Sequence, residues 1–385
     1  MTETQAIRLR GMTWSDPRGY DPVVAAARSY ALAHPGISVS WDKRSLQGFE
    51  STPVEQLAER YDLMVIDHPH IGACVSRGCL LPLDEWLPRE LLAALANETV
   101  GKSFISYAMG GHQWALPIDA ATQVQAWRPD LCRPLRRWEE VIEAARAGDV
   151  LLPLRPPHNL MCLYTLAANL GRPCGSQRAG VVDPDVGRTV FEALLAVVEH
   201  LDPACHGMDP IAALDALATG RRARVIPLTY LYKGYANAGY REHRIAFADF
   251  PVLGASGPLG SALGGTGIAV SARTGHPEAA TAFAGWLASA ECQTGIYAAA
   301  NGQPGNALAW ADPAVNAPVL DAYRNTRMSH EAAWLRPRHD GYMGFQEDGS
   351  EVVGEILRGK TSVDAGLAAL NARYAASFSA TEVVR

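Results

Sequence analysis

Apolar and polar positions change period repeatedly along the first third of the chain. Over Ile7–Trp14 apolar residues alternate with basic ones, a period of two that predicts a strand. Over 23–34 apolar residues lie all round, which predicts a packed helix ended by Pro35-Gly36. Residues 37–41 are β-branched enough for a second strand, and 53–60 reads as a short helix with Pro53 at its first turn. The continuous apolar run 62–67 closes on Asp67, the pattern of a buried parallel strand. Strands alternating with helices predict an α/β fold with a parallel sheet. Ligands bind such sheets beyond the carboxyl ends of the strands, which places Trp14, Arg44 and 67–70 on one rim.

Further along, the pattern predicts helices over 137–147, 184–201, 211–218 and 278–289, and strands over 224–230 and 268–271. Leu367, Leu370, Tyr374 and Phe378 recur every three to four residues and mark a C-terminal helix capped by 361–364. No internal repeat and no low-complexity segment interrupts the chain.

Composition narrows the class. With 385 residues, 48% hydrophobic and 19% charged, the chain suits two globular lobes better than one core. A net charge of −6 gives no footprint for nucleic acid, and no apolar run approaches the ~18 residues needed to insert in a membrane. Seven cysteines (Cys74, Cys79, Cys132, Cys162, Cys174, Cys205, Cys292) make an odd number without a Cys-x-x-Cys. The first strand follows at once on residues 1–6, which show no basic, apolar or cleavage region of an export signal. Together these favour a cytoplasmic setting over a periplasmic or extracellular one reached with a leader since removed.

Two glycine-bearing blocks carry a resemblance. Gly111 to Leu131 reads GHQWALPIDAATQVQAWRPDL, a tight turn and then a strand. Gly257 to Gly305 opens GPLGSALGGTGIAVS and closes with a helix and GQPG. The blocks resemble the crossovers of the extracellular solute-binding proteins of bacterial ABC importers, the group of sugar receptors, and the likeness spans nearly the whole chain. The resemblance implies a two-lobed periplasmic-binding-protein-like fold with discontinuous lobes, 1–112 with 261–312 and 113–260 with 313–385. Hinge crossovers would join the lobes, an interlobe cleft would close on a small molecule, and permease subunits of an ABC transporter would be the protein partners.

Candidate ligand residues follow from the rim and the crossovers. Trp14 offers an apolar face and Arg18 a planar fork for a carboxylate; the alternatives are packing against the next helix and a solvated charge. Arg44 follows the second strand, where the strand end meets the rim; the alternative is an ordinary surface charge in a turn. Asp67, His68 and His70 put three hydrogen-bonding side chains directly after a buried strand. His68-x-His70 lacks a clustered third ligand, so no metal is expected. Asp119 and Gln123 lie on the first crossover, as contacts or as hinge supports. Tyr230 and Tyr232 share one face of an extended segment, with core packing as the other reading. Gly265 and Thr266 sit on the glycine-rich return, and Gln303 on a rim loop. Val270 stands where a dinucleotide fingerprint needs its last glycine, there is no Walker A sequence, and no cofactor is expected. No serine elbow, His-Glu-x-x-His or kinase set appears, so no catalytic residue is assigned. Arginines and histidines outnumber acids among these candidates. The reading is therefore a binder of a small polar, anionic solute, an organic acid or sugar derivative, serving an importer or as a cytosolic derivative. The rival is a cytosolic enzyme that uses the same histidines and aspartates for acid–base chemistry.

Overall fold

The computed structural model describes residues 6–46, 48, 52–220, 222–254 and 256–378, so most of the segment read for an export signal lies outside it. In chain order the strands are β1 (Ile7–Trp14), β2 (Ile37–Arg44), β3 (Leu63–Ile66), β4 (Ala108–Met109), β5 (His112–Gln113), β6 (Ala115–Asp119), β7 (Gln123–Trp127), β8 (Val225–Tyr230), β9 (Ala246–Ala248) and β10 (Thr266–Val270). The chain divides into two compact units. One comprises 1–120, 264–315 and 338–340; the other comprises 121–263, 316–337 and 341–385.

The first unit is built on a five-stranded sheet of order β2-β1-β3-β10-β6. β1 runs parallel to β2 and β3, while β10 is antiparallel to both β3 and β6. Four strands therefore end at the same edge, where β10 begins. The apolar run in β3 has a simple cause. Leu63 and Val65 enter one core with Val23, Leu116, Ile268 and Phe283. Met64 and Ile66 enter another, on the opposite face, with Ile71, Tyr107 and Ala269. Both faces are covered, so no position is left for a polar residue.

The first helix is Pro17–Ala33, beginning six residues before the expected 23. Asp16 caps it by accepting from the Arg18 amide at 2.8 Å, and Pro17 occupies the first turn. The segment expected as a ligand loop after β1 is thus largely the first turns of this helix.

Gly110 and Gly111 have φ of 61° and 87° and form the two-residue turn of the β4–β5 hairpin. The glycine turn is therefore a hairpin inside the first unit. The unit boundary falls later, between Ala120 and Ala121. Residues 113–120 belong with the first unit, and so do 313–315 and 338–340, while 261–263 belong with the second, unlike the expected boundaries. Arg338 secures its short segment: its Nη1 donates to the carbonyls of Ile105, Ser106 and Ala108 at 2.9, 2.7 and 3.0 Å. Gly72 makes room for it, since a Cβ there would stand 1.8 Å from the Arg338 carbonyl oxygen.

The second unit has a three-stranded antiparallel sheet, β8-β7-β9. Its longer helices are Trp138–Arg146, His158–Asn169, Pro184–Val198, Pro210–Thr219, Tyr342–Leu357 and Val363–Ala376. Leu163, Phe191, Leu228, Val353 and Leu370 meet in its core. All twelve residues of His158–Asn169 are buried. A helix with no solvent face has no amphipathic period, which explains why the pattern missed it. Among the described residues no helix is long and apolar enough to cross a membrane.

Candidate functional site

The first unit gathers several of the expected residues at one edge of its sheet. Trp14 ends β1 opposite Arg44, the end of β2. Asp67 follows β3, and Asp119, the end of β6, pairs with Thr266, the start of β10. Gly265 precedes Thr266 with φ of 86°, a conformation that favours glycine.

The chemistry of this rim centres on an ion pair that the sequence did not announce. Arg18 donates through Nε to Asp119 Oδ2 at 2.7 Å and through Nη2 to Oδ1, a two-point fork. Asp119 is 1% exposed and Arg18 8%. Burial pushes the Asp119 carboxyl up, against the pull of Arg18, and the Asp67 charge adds to the rise. Asp16 is raised as well, first by burial, while the Arg18 charge and amide oppose the shift. Asp16 and Asp67 thus both lie close enough to Asp119 for their charges to interact with it. The Thr266 hydroxyl is buried and has no hydrogen-bond partner among the described residues. Arg44 is half-buried, and loss of water lowers its pKa to about 10.

Other candidates at this edge serve packing. Trp14 is 3% exposed, and its indole lies over the first turn of the Pro17–Ala33 helix. A Cβ at Gly19 would come within 2.3 Å of the ring. Its expected role as a ligand platform gives way to the core. His68 is fully buried, 6.3 Å from Tyr107 in an edge-on arrangement, with Nδ1 3.2 Å from the Asp67 carboxylate. His70 is 5% exposed and closes the short turn that leads into the Ile71–Arg77 helix. Of this trio Asp67 alone keeps substantial exposure. Gln303 donates to the Ala120 carbonyl at 2.7 Å and accepts on its backbone from the Ala120 amide at 3.3 Å. It supports the crossover strand.

In the second unit Gln123 is also occupied. Its carbonyl accepts from Thr165 at 2.5 Å, its amide lies 3.6 Å from Cys162 Sγ, and its backbone oxygen accepts from Ser261 at 2.6 Å. Tyr230 stands beside Gln123 across β7–β8 and meets His158 edge-on at 6.2 Å. Tyr232 is 8% exposed, and its neighbour Lys233 is buried enough to bring its amine down to about 8.

Tyr230 belongs to an aromatic and basic group that the sequence did not single out. Tyr342 donates to the Tyr164 hydroxyl at 3.3 Å, and Tyr164 packs on Trp334 with centroids 5.0 Å apart. Arg336 donates to the Leu263 carbonyl at 3.0 Å and to Gln346 Oε1 at 3.1 Å. Burial, with a small push from Arg155 and Arg336 against Asp209, brings His158 down to about 4, so the ring is neutral. Four separate chain segments supply these residues, so no local motif could have marked them. For Asp16 a signal existed: Asp before Pro at a helix start reads as a cap. Among the described residues no group of three metal-binding side chains occurs.

No curated protein matches the chain in sequence. Solved structures match its fold. A maltose-bound MalE3 of T. maritima aligns with a TM-score of 0.81 at 15% identity, over 96% of this chain and 99% of that one. The GacH receptor of Streptomyces glaucescens GLA.O, solved unliganded and with acarbose, gives 0.79 at 17%, over 97% and 98%. An ABC transporter solute-binding protein of Agrobacterium radiobacter K84 in complex with ribitol gives 0.78 at 19%, over 97% and 99%. The fold is therefore the two-lobed α/β fold of periplasmic binding proteins. The family model described as bacterial extracellular solute-binding protein matches residues 25–320, well over half of the chain. That extracellular family gives no support to a cytoplasmic setting. A small-molecule ligand accords with it, and this chain is a member of the bacterial extracellular solute-binding protein family.

Proposed function

We propose that this protein captures a neutral, hydroxyl-rich solute, a sugar or polyol, as the substrate-binding component of a bacterial ABC importer working outside the cytoplasm. The Arg18–Asp119 fork carries the choice of ligand. The arginine that would have held an anion is already paired, and the charges of Asp16 and Asp67 act on its partner Asp119. A ligand carboxylate at this rim would meet more negative charge than positive, whereas hydroxyls would find an acceptor in Asp67 and a partner in Thr266. Tyr230, the partly exposed tyrosine beside His158 in the second unit, offers a face of the kind that sugar rings pack on. Maltose, ribitol and acarbose in similar structures fit this class. Hinge closure on the solute and docking to permease subunits are parts of the same proposal.

An anionic solute keeps one observation in its favour, Arg44 on the same rim. A melting screen separates the two. Maltose, ribitol and mannitol should raise the melting temperature, and gluconate and glucuronate should not. A rise with the acids alone would overturn the neutral reading. Recovery of the bound compound unchanged after prolonged incubation would count against the enzyme alternative.

A further inference from the structure

The helix layer of the first unit holds a cavity of about 420 Å3, within the range of small-molecule sites. It opens where the Arg89–Glu98 helix meets the Pro277–Ala288 helix, and none of its lining residues belongs to the rim. Gly285 makes the helices' close approach feasible, since a Cβ there would stand 3.1 Å from Leu91 Cδ2.

Two indoles line the cavity, Trp86 and Trp286. Trp86 is 38% exposed, a large apolar ring left facing solvent. Trp286 is held in place by Tyr30 and Phe283, with centroids 5.2 and 6.3 Å away. Two carboxylates, Glu278 and Glu291, complete the wall, and none of the lining residues is Lys, Arg or His. Neither carboxylate makes an ion pair among the described residues. Indole faces carry negative quadrupole potential and attract cations. Both carboxylates and both indoles of the lining therefore favour a cation, and Leu87, Pro88, Leu91 and Ala282 favour an apolar body.

We infer that this cavity is an accessory binding site for a small organic ammonium compound with an apolar body, separate from the solute rim. The indoles stack on the cation and its apolar part, and Glu278 and Glu291 balance its charge. The apolar floor supplies desolvated area that an inorganic cation could not use.

Benzyltrimethylammonium is the probe, titrated into the whole protein by calorimetry, with benzyl alcohol as the neutral arm. Saturable binding is expected with a Kd near or below about 1 mM, the level of a weak specific ligand. Raising the salt should weaken it. Trp86→Ala should weaken it about tenfold, Trp86→Phe should restore most of that loss, and Glu278→Gln with Glu291→Gln should abolish the salt dependence. Asp67→Asn should leave it unchanged. No saturable binding, equal binding of benzyl alcohol, or a loss in Asp67→Asn with none in Trp86→Ala would each overturn the inference. The sugar and polyol screen reads the rim alone, so failure of one proposal is distinguishable from failure of the other.

Discussion

Arg18 and Asp119, 101 positions apart in sequence, are joined by a two-point fork with both side chains almost wholly buried. The pair ties the first turn of the Pro17–Ala33 helix to the end of β6, the last strand before the chain leaves the first unit. It turns the arginine from a receptor for an anion into a partner within the protein.

Removing one member should cost more than removing both. Asp119→Asn strands a buried guanidinium and should lower unfolding free energy by about 3 kcal/mol, whereas Arg18→Met with Asp119→Leu should recover much of it. Urea denaturation of the two variants and the parent checks this. Equal losses in single and double variants would show that the fork is not coupled.

Thr266→Val separates binding from stability. The hydroxyl is buried without a partner among the described residues, so its loss should leave the melting temperature unchanged or raise it. Solute affinity should fall by about 1 kcal/mol, roughly fivefold, if the ligand uses it. Unchanged affinity would remove Thr266 from the binding surface.

His158 predicts a pH dependence with a definite sign. Its pKa falls from 6.5 to about 4 in the folded chain, so the unfolded chain binds the proton first on acidification. Its contribution is complete above pH 6.5 and is lost as the pH falls toward 4. One proton corresponds to about 1.4 kcal/mol per pH unit across that window. His158→Asn should flatten the slope by that amount in denaturation curves at pH 6.5, 5.5 and 4.5. An identical slope in both proteins would mean that His158 titrates normally.

The thiols predict a count. All seven cysteines are free, and Cys132 alone is more than marginally exposed. Burial raises Cys162 and Cys292 to about 12, which suppresses their reactive thiolates further. A thiol reagent should modify one cysteine rapidly in the native protein and seven after denaturation without reductant. A denatured count of five or fewer would mean that disulfides form.

Gly72→Ala tests the short segment at Arg338. The new methyl would meet the Arg338 carbonyl at 1.8 Å, so the strap or the Ile71–Arg77 helix must shift. A loss of about 1–3 kcal/mol is expected for such overpacking. Hydrogen exchange should quicken first around 105–108, whose carbonyls Arg338 holds. A neutral substitution with unchanged exchange would show that the segment yields freely.

Local pattern determined a good deal of this protein by itself. The alternation in Ile7–Trp14, the apolar run before Asp67 and the spacing of Leu367, Leu370 and Tyr374 are each decided within a few residues, because strand and helix periods are local properties. They carried the α/β class and the rim of strand ends, and the glycine-bearing blocks carried the family. Only the tertiary structure decided what each rim side chain does. Trp14 and His68 read as ligand groups along the chain, but Gly19 and Tyr107 claim them for packing. Gln123 and Gln303 are spent on Thr165 and Ala120. The helix His158–Asn169 left no period because burial on every side removes the polar stripe. The charge of the rim turned on Arg18 meeting Asp119 across 101 residues, and a local window sees a cation without seeing its partner. Side-chain roles depend on which distant groups share a low-dielectric space, and that is fixed only when the sheet brings its strand ends together.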